Sequence, residues 1–308
     1  MRIVLCGKNA AAVACLEFLT GKGDDVWAIG TKGDDGRDGW QPSFRGAAAR
    51  LGADFAQPRR INDDAFVDRL AAWAPDRLVS IQYDQILRGN LFAGIEAPCL
   101  NLHFSLLPRH RGVAPIAWAV LSGDAEAGVS LHHMVEAIDA GDLIARRAVP
   151  VAPDDTARAL YDKLTGAAVD LFQSTYPFSF ESLARRLPQD ASLASYHKAG
   201  EIDFGQTRVT WSRPAAELQR WLRAFIFPPL QHPETLLGGE PLQVTLVGAR
   251  IGPAVEKPPG TIVAHTDGAI EVAARGGTVM ITGMRRQAAP SQEWRQLKDE
   301  LQTGKRFD

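Results

Sequence analysis

The apolar positions near the start of the chain fall into short blocks separated by polar, glycine-bearing turns. Residues 3–6 (Ile-Val-Leu-Cys) form an unbroken apolar run stopped by Gly7, the form of a strand buried on both faces. Val13, Leu16 and Leu19 share one face of a helix over residues 10–19, and residues 26–29 are a second apolar run. Strand, helix and strand in about thirty residues make a βαβ unit. The alternation continues, with helices expected over 47–51 and 63–73 and strands over 77–81 and 99–103. Pro115 suits the first turn of a helix running to Leu121. Residues 128–135 alternate Val129, Leu131 and His133 with Ser130, His132 and Met134, a strand pattern. A tight turn, Asp139-Ala140-Gly141-Asp142, leads into an apolar piece at 143–145, and residues 149–151 read as a separate short strand. Asp154-Asp155-Thr156 caps a helix from Ala157 to about Phe172.

The pattern changes near residue 200. Residues 188–200 have little periodicity and read as a linker. An amphipathic helix follows at 215–225, then Pro228-Pro229, then short β-like runs at 243–247, 260–264, 269–273 and 278–282. Turns at Gly238-Gly239, Asp267-Gly268 and Gly276-Gly277 separate them, which suggests a small barrel or sandwich. The expected fold class is α/β, with a Rossmann-like, mostly parallel sheet over 1–187, a linker over 188–200 and a smaller β-rich domain over 201–308.

Composition narrows the function more than the fold. Basic residues number 34 and acidic residues 36, a net charge of −2, so no general field draws nucleic acid or an anionic membrane. Cys6, Cys15 and Cys99 are odd in number and unpaired in spacing, against a disulfide framework or a structural zinc site. No apolar stretch approaches membrane-spanning length, and a cytoplasmic location is expected. The first turn, Gly7-Lys8-Asn9-Ala10-Ala11-Ala12, lacks the GxGxxG spacing, which argues against a dinucleotide cofactor. The polar loop at 32–45 mixes Asp34, Asp35 and Asp38 with Lys32, Arg37 and Arg45, and it is no basic phosphate-gripping run.

The candidate chemistry sits at the end of the 99–103 strand. Side chains at i and i+2 leave one face, so Asn101 and His103 point together while Leu100 and Leu102 face the core. A Pro- and Gly-punctuated loop follows at once. Such a pair can be an active-site edge, or it can merely satisfy hydrogen bonds at a strand end.

The stretch resembles the folate-dependent formyltransferase family. The resemblance is carried by Asn101-x-His103, Ser105-Leu106-Leu107-Pro108, Arg111-Gly112, Ala114-Pro115-Ile116-Ala117-Trp118, Gly128-Val129-Ser130-Leu131-His132 and Ile138-Asp139-Ala140-Gly141-Asp142. It implies an N-formyltransferase using N10-formyltetrahydrofolate without a metal, and an OB-like barrel in the second domain. It further implies Asn101, His103 and Asp139 as the catalytic trio. Cofactor contacts are expected at Gln82, Tyr83, Ile86, Leu87, Leu106, Val135, Ile138 and Asp142. Substrate contacts are expected at Lys8, Ser105, Pro108, Arg109 and His132, the last equally readable as a structural strand histidine. Tyr196-His197-Lys198, Glu201-Ile202-Asp203 and residues 221–229 resemble the formyltransferases that act on nucleotide-linked amino sugars. That acceptor is favoured over methionyl-tRNA, hydroxyornithine or water, with no nucleic-acid or membrane partner. Relatives acting on sugars are often dimers, so a homodimer is the matching expectation.

Overall fold

The computed structural model describes residues 1–178, 183, 186–266, 268–288, 291 and 294–308; Asp267 of the expected Asp267-Gly268 turn lies outside them. The apolar runs become strands β1 (Arg2–Gly7) and β2 (Asp25–Gly30) around helix α1 (Asn9–Gly21), each strand buried over its last five residues. Helix α2 (Phe44–Leu51) starts where Ser43 Oγ accepts the Gly46 N–H and stops at left-handed Gly52. Then come β3 (Asp54–Ala56), α3 (Asp64–Trp73), β4 (Arg77–Ile81), α4 (Gly89–Gly94), β5 (Cys99–His103) and the two-residue β6 (Arg111–Gly112). Helix α5 (Pro115–Ser122) precedes β7 (Glu126–His133) and β8 (Leu143–Pro150). Thr156 Oγ1 accepts the Ala159 N–H at the start of α6 (Ala157–Thr175). Gly166 lies exposed inside α6, where an added Cβ would meet nothing within 4 Å. Gly166→Ala is therefore expected to stabilise the protein by about 0.5–1 kcal/mol, measurable as a raised denaturant midpoint at unchanged m-value.

β1 to β8, without β6, form one seven-stranded sheet in the order β3-β2-β1-β4-β5-β7-β8. β1 pairs in parallel with both β2 and β4, β2 with β3, and β4 with β5; β7 runs antiparallel to β5. The order reverses between β1 and β4, where Gly7 lies opposite Ile81. Open α/β sheets receive ligands at the carboxyl ends of strands beside such a switch point. Lys8, Gln82 and the end of β5 all lie on that rim. One expectation changes: the two pieces at 143–145 and 149–151 are the single strand β8. Exposed Arg146 and Arg147 interrupt its apolar pattern, which an edge strand tolerates because one side of it faces solvent.

The later elements are β9 (Tyr196–His197), α7 (Ala215–Phe225), β10 (Glu234–Leu237), β11 (Glu240–Gly252), β12 (Ile262–Thr266), β13 (Ala269–Ala274), β14 (Gly277–Arg286) and α8 (Trp294–Glu300). β10 to β14 form a five-stranded antiparallel sheet in the order β10-β11-β14-β13-β12, the smaller OB-like part of the fold. Register shifts along the thirteen-residue β11 bend it, as curvature in a small sheet requires. Leu218, Trp221, Leu222 and Phe225 of α7 are buried, and the helix packs on β11 and β14. The chain divides into two compact units, one of residues 1–115, 127–149 and 163–198, the other of 116–126, 150–162 and 199–308. The first unit thus keeps most of the segment expected to be a linker. Residues 191–193 form a 3-10 turn there, and β9 pairs in parallel with β6.

Candidate active site

Asn101 and His103 leave β5 on one face, and β7 lies beside them in register, His132 opposite Asn101 and Ser130 opposite His103. Asp139, in the turn after β7, reaches both. Asn101 Nδ2 donates to Asp139 Oδ1 at 3.1 Å, and His103 Nδ1 lies 3.6 Å from Asp139 Oδ2. The Gly112 N–H donates to the same Oδ2 at 2.8 Å. Three residues from two strands therefore meet at a single carboxylate carried by a turn.

The protons in this cluster can be placed from their partners. His103 Nε2 is 2.9 Å from the His110 carbonyl oxygen, which only accepts, so Nε2 carries the proton and Nδ1 of the neutral ring is a lone pair. Burial pushes His103 below the usual 6.5, and the opposing pull of Asp139 and the His110 carbonyl does not overcome it. His132 Nδ1 faces the His133 carbonyl at 2.8 Å by the same logic, leaving its Nε2 to accept from Asn101 Nδ2 at 3.2 Å. Burial alone would raise the Asp139 carboxyl, but His103, His132 and the Gly112 N–H outweigh it and hold it well below the usual carboxylate range. The site thus sets a carboxylate beside a neutral imidazole with one open nitrogen. A proton arriving at Nδ1 would turn the 3.6 Å approach into an ion pair.

Two loops hold this arrangement. In the loop after β5, Ser105 Oγ donates to the Arg109 carbonyl at 2.7 Å, and Ser130 Oγ accepts the Leu107 N–H while donating to the Ser105 carbonyl. The turn at 139–142 closes through the His133 N–H on the Asp142 carbonyl at 2.9 Å. Asp139, His110 and Gln82 all adopt left-handed backbone, with φ of 54°, 54° and 53°. Such residues each cost about 1–3 kcal/mol and persist where surroundings over-determine them. All three cysteines are buried, and burial pushes their thiols up, away from nucleophilic use.

A formyl transferase family model matches residues 26–175, and the model of the formyl transferase C-terminal domain matches residues 201–299. The chain belongs to the formyl transferase family. It is 34% identical over 288 residues to the methionyl-tRNA formyltransferase of Myxococcus xanthus, covering 92% of this chain and 90% of that one. The corresponding protein of Halorhodospira halophila is also 34% identical over 288 residues, covering 92% and 91%. Among solved structures, the sugar 3N-formyl transferase WlaRD, with dTDP and 5-N-formyl-THF, superposes with a TM-score of 0.72 at 22% identity, covering 93% of this chain and 98% of that one. The N-formyltransferase of Helicobacter canadensis, with folinic acid and dTDP-3-aminofucose, gives 0.74 at 21% identity, covering 92% and 99%. This protein is a folate-dependent formyltransferase that takes its one-carbon unit from N10-formyltetrahydrofolate. Among the described residues no group of three or more His, Cys, Asp or Glu is placed to hold a metal ion, and no helix is long and apolar enough to cross a membrane.

The expected binding residues of the formyltransferase differ in exposure and in partners. Ile86, Val135 and Ile138 are large apolar side chains left 54%, 44% and 37% exposed. Leu87, Pro108 and His132 are buried, Leu87 in an apolar cluster against which Tyr83 and Met134 pack. Both His132 nitrogens and the Ser105 hydroxyl are engaged within the protein, while Asp142 is 3.7 Å from Arg186. Lys8 flanks the start of α1, Leu106 packs over Gly128, and Arg109 is exposed. Sequence reasoning did not find the backbone groups of His110 and Gly112, nor Gln189. Gln189 Nε2 donates to the Asp139 and Gly141 carbonyls at 2.8 and 2.7 Å. Only the glycine in Arg111-Gly112 hinted at a close backbone approach.

Proposed function

We propose that this formyltransferase formylates the primary amine of a nucleotide-linked amino sugar, with Asn101, His103 and Asp139 as its catalytic trio. The amine nitrogen attacks the formyl carbon, and the carbonyl oxygen becomes an oxyanion. His103 Nδ1 takes a proton from the attacking amine, and Asp139 stabilises the resulting imidazolium. The bond from the formyl carbon to N10 then breaks, and the same proton passes to N10, leaving an N-formyl product and tetrahydrofolate. Asn101 steadies the oxyanion by handing over the amide proton it otherwise gives to His132. The pterin lies along the loops at 82–87 and 135–142. These loops are neighbours, since the Glu136 carboxylate lies against Gly89 and Met134 packs against the apolar cluster that holds Leu87. Val135→Asp is accordingly expected to raise KM for N10-formyltetrahydrofolate about tenfold or more with kcat little changed, read from initial rates.

The observation that favours a small acceptor over tRNA is the charge of the 32–45 loop. Asp34 organises it, accepting from Ser43 Oγ at 2.5 Å, the Gly36 N–H at 3.1 Å and the Arg45 N–H at 2.8 Å. Its three acids cancel its three bases, and residues 201–308 hold 13 Lys and Arg against 12 Asp and Glu. An RNA acceptor calls for a surplus of positive charge against its phosphates. The methionyl-tRNA reading draws on the curated relatives at 34% identity across 92% of the chain. Tetrahydrofolate release with nucleotide-linked amino sugars, hydroxyornithine, charged methionyl-tRNA and no acceptor decides between them. Turnover with a sugar supports the proposal, whereas turnover confined to charged tRNA, to hydroxyornithine or to water defeats it.

A further inference from the structure

The segment from Leu187 to His197 is hydrogen-bonded to both loops of the site. Leu187 bridges Leu143 on one side, and Arg186 lies 3.7 Å from Asp142. Further on, the Ser195 carbonyl accepts the Arg111 N–H, Ser195 Oγ accepts the His110 N–H, and the His197 carbonyl accepts the Val113 N–H. Between these anchors sits Gln189, and all four hydrogen-bonding positions of its amide are filled. Nε2 donates to the Asp139 carbonyl at 2.8 Å and the Gly141 carbonyl at 2.7 Å. Oε1 accepts from Arg111 Nε at 3.1 Å and Arg111 Nη2 at 2.7 Å. Arg111 adjoins Gly112, whose N–H holds the Asp139 carboxylate at 2.8 Å. One amide therefore joins the backbone that carries Asp139 to the backbone that grips its side chain.

We propose that Gln189 is a positioning residue for formyl transfer, setting the distance and direction between the Asp139 carboxylate and His103. The physical reason is local. Asp139 stands in left-handed backbone with φ of 54°, a conformation an exposed turn would readily leave. Fixing the carbonyls of Asp139 and Gly141 removes that freedom. Through Arg111 and the neighbouring Gly112, the same amide ties down both backbone segments that fix the Asp139 carboxylate, the one that carries it and the one that grips it. The inference rests on the roles proposed above for Asp139 and His103. The groups facing His103 are Asp139, His132 and the His110 carbonyl, so a change in its titration reports on few neighbours.

The test pairs Gln189→Glu with Arg111→Met in the full-length enzyme, using His103→Ala as reference. Glutamate keeps the length and the Arg111 contact but cannot donate to the two carbonyls. For Gln189→Glu, kcat is expected to fall about 10- to 100-fold, as a misplacement near 1 Å does, with KM for N10-formyltetrahydrofolate within about threefold. The acid limb of the kcat/KM profile is expected to move to lower pH, because a carboxylate turned away from His103 no longer raises its titration and the charge that glutamate adds is paired with Arg111. Arg111→Met loosens the same clamp from the other end and is expected to move the limb in the same sense by less, which keeps the test sound if the glutamate variant fails to fold. A lowered thermal midpoint with kcat and the acid limb unmoved would make Gln189 purely structural and overturn the proposal. Full activity in His103→Ala would instead overturn the trio itself, a separate outcome.

Discussion

Asp139→Asn is expected to lower kcat about 10³-fold in a protein that still folds. Asparagine tolerates left-handed backbone, so the φ of 54° is kept. Its amide oxygen still accepts the Gly112 N–H, and its NH2 can turn toward His132 Nε2, the acceptor now 3.5 Å from Asp139 Oδ1. What disappears is the charge 3.6 Å from His103 Nδ1 and, with it, the oxygen that accepts the Asn101 amide at 3.1 Å. Unit charges about 4 Å apart at an effective dielectric constant of about 20 interact by about 4 kcal/mol, which corresponds to roughly 10³-fold in rate. That stabilisation acts on the imidazolium, which exists only after His103 has taken the amine proton, so the loss belongs in kcat rather than KM. The pH profile gives a second readout. His103 titrates below 6.5 in the folded protein because it is buried, and Asp139 is among the groups pulling it back up. Removing the carboxylate lowers it further, so the acid limb of kcat/KM shifts to lower pH in the variant. Stability follows its own sign: the depressed Asp139 carboxyl contributes above the ordinary 3.8 and loses that contribution as the pH falls through its folded value. The variant's stability deficit should therefore shrink in acid. A loss of less than tenfold in kcat with wild-type folding would sink the assignment of Asp139.

The parallel half of the molecule was legible because strands buried on both faces write continuous apolar runs, as at β1, β2 and β4. Legibility failed where burial is one-sided or the element is too short to carry a period. β8 was divided because Arg146 and Arg147 stand exposed at a sheet edge, and β3 is only three residues long. The facing of Asn101 and His103 followed from strand geometry alone. Asp139 came from the resemblance, because nothing in a period of two or 3.6 links a turn residue to a strand thirty-six positions away. The groups that hold the trio were invisible for a different reason. His110 acts through its carbonyl and Gly112 through its N–H, and every residue but proline has both. Gln189 lies in a stretch without periodicity, because side-chain-to-backbone bonds rather than a buried face hold it in place. Aperiodicity there meant irregular structure, not absence of structure.

Gly141→Ala separates close approach from every other effect of a glycine at this site, and it is expected to cost kcat about 10²-fold. A Cβ at Gly141 would stand 1.9 Å from the His133 carbonyl oxygen and 2.9 Å from its carbon, both backbone atoms at the end of β7 that cannot swing aside. Relief requires the 139–142 turn to lift off the strand. That movement stretches the bond from the His133 N–H to the Asp142 carbonyl, 2.9 Å long, and the Gln189 bond to the Gly141 carbonyl, 2.7 Å long. Asp139 moves with the turn, and displacement of a reacting constellation by about 1 Å costs about 10²-fold. Overpacking of this kind also destabilises by about 1–3 kcal/mol, so folding must be followed beside activity. Gly112 would give a less readable result, since its φ of 88° adds backbone strain to a Cβ only 2.2 Å from the His197 carbonyl. Gly141 is not left-handed, so alanine there adds one methyl group and nothing else. Gly166→Ala, on the exposed face of α6, is the matching control, with the same chemical change in open space and no expected loss of rate. If Gly141→Ala is folded by circular dichroism and turns over at the wild-type rate, the turn does not set the Asp139 carboxylate, and the account of the site built on it fails.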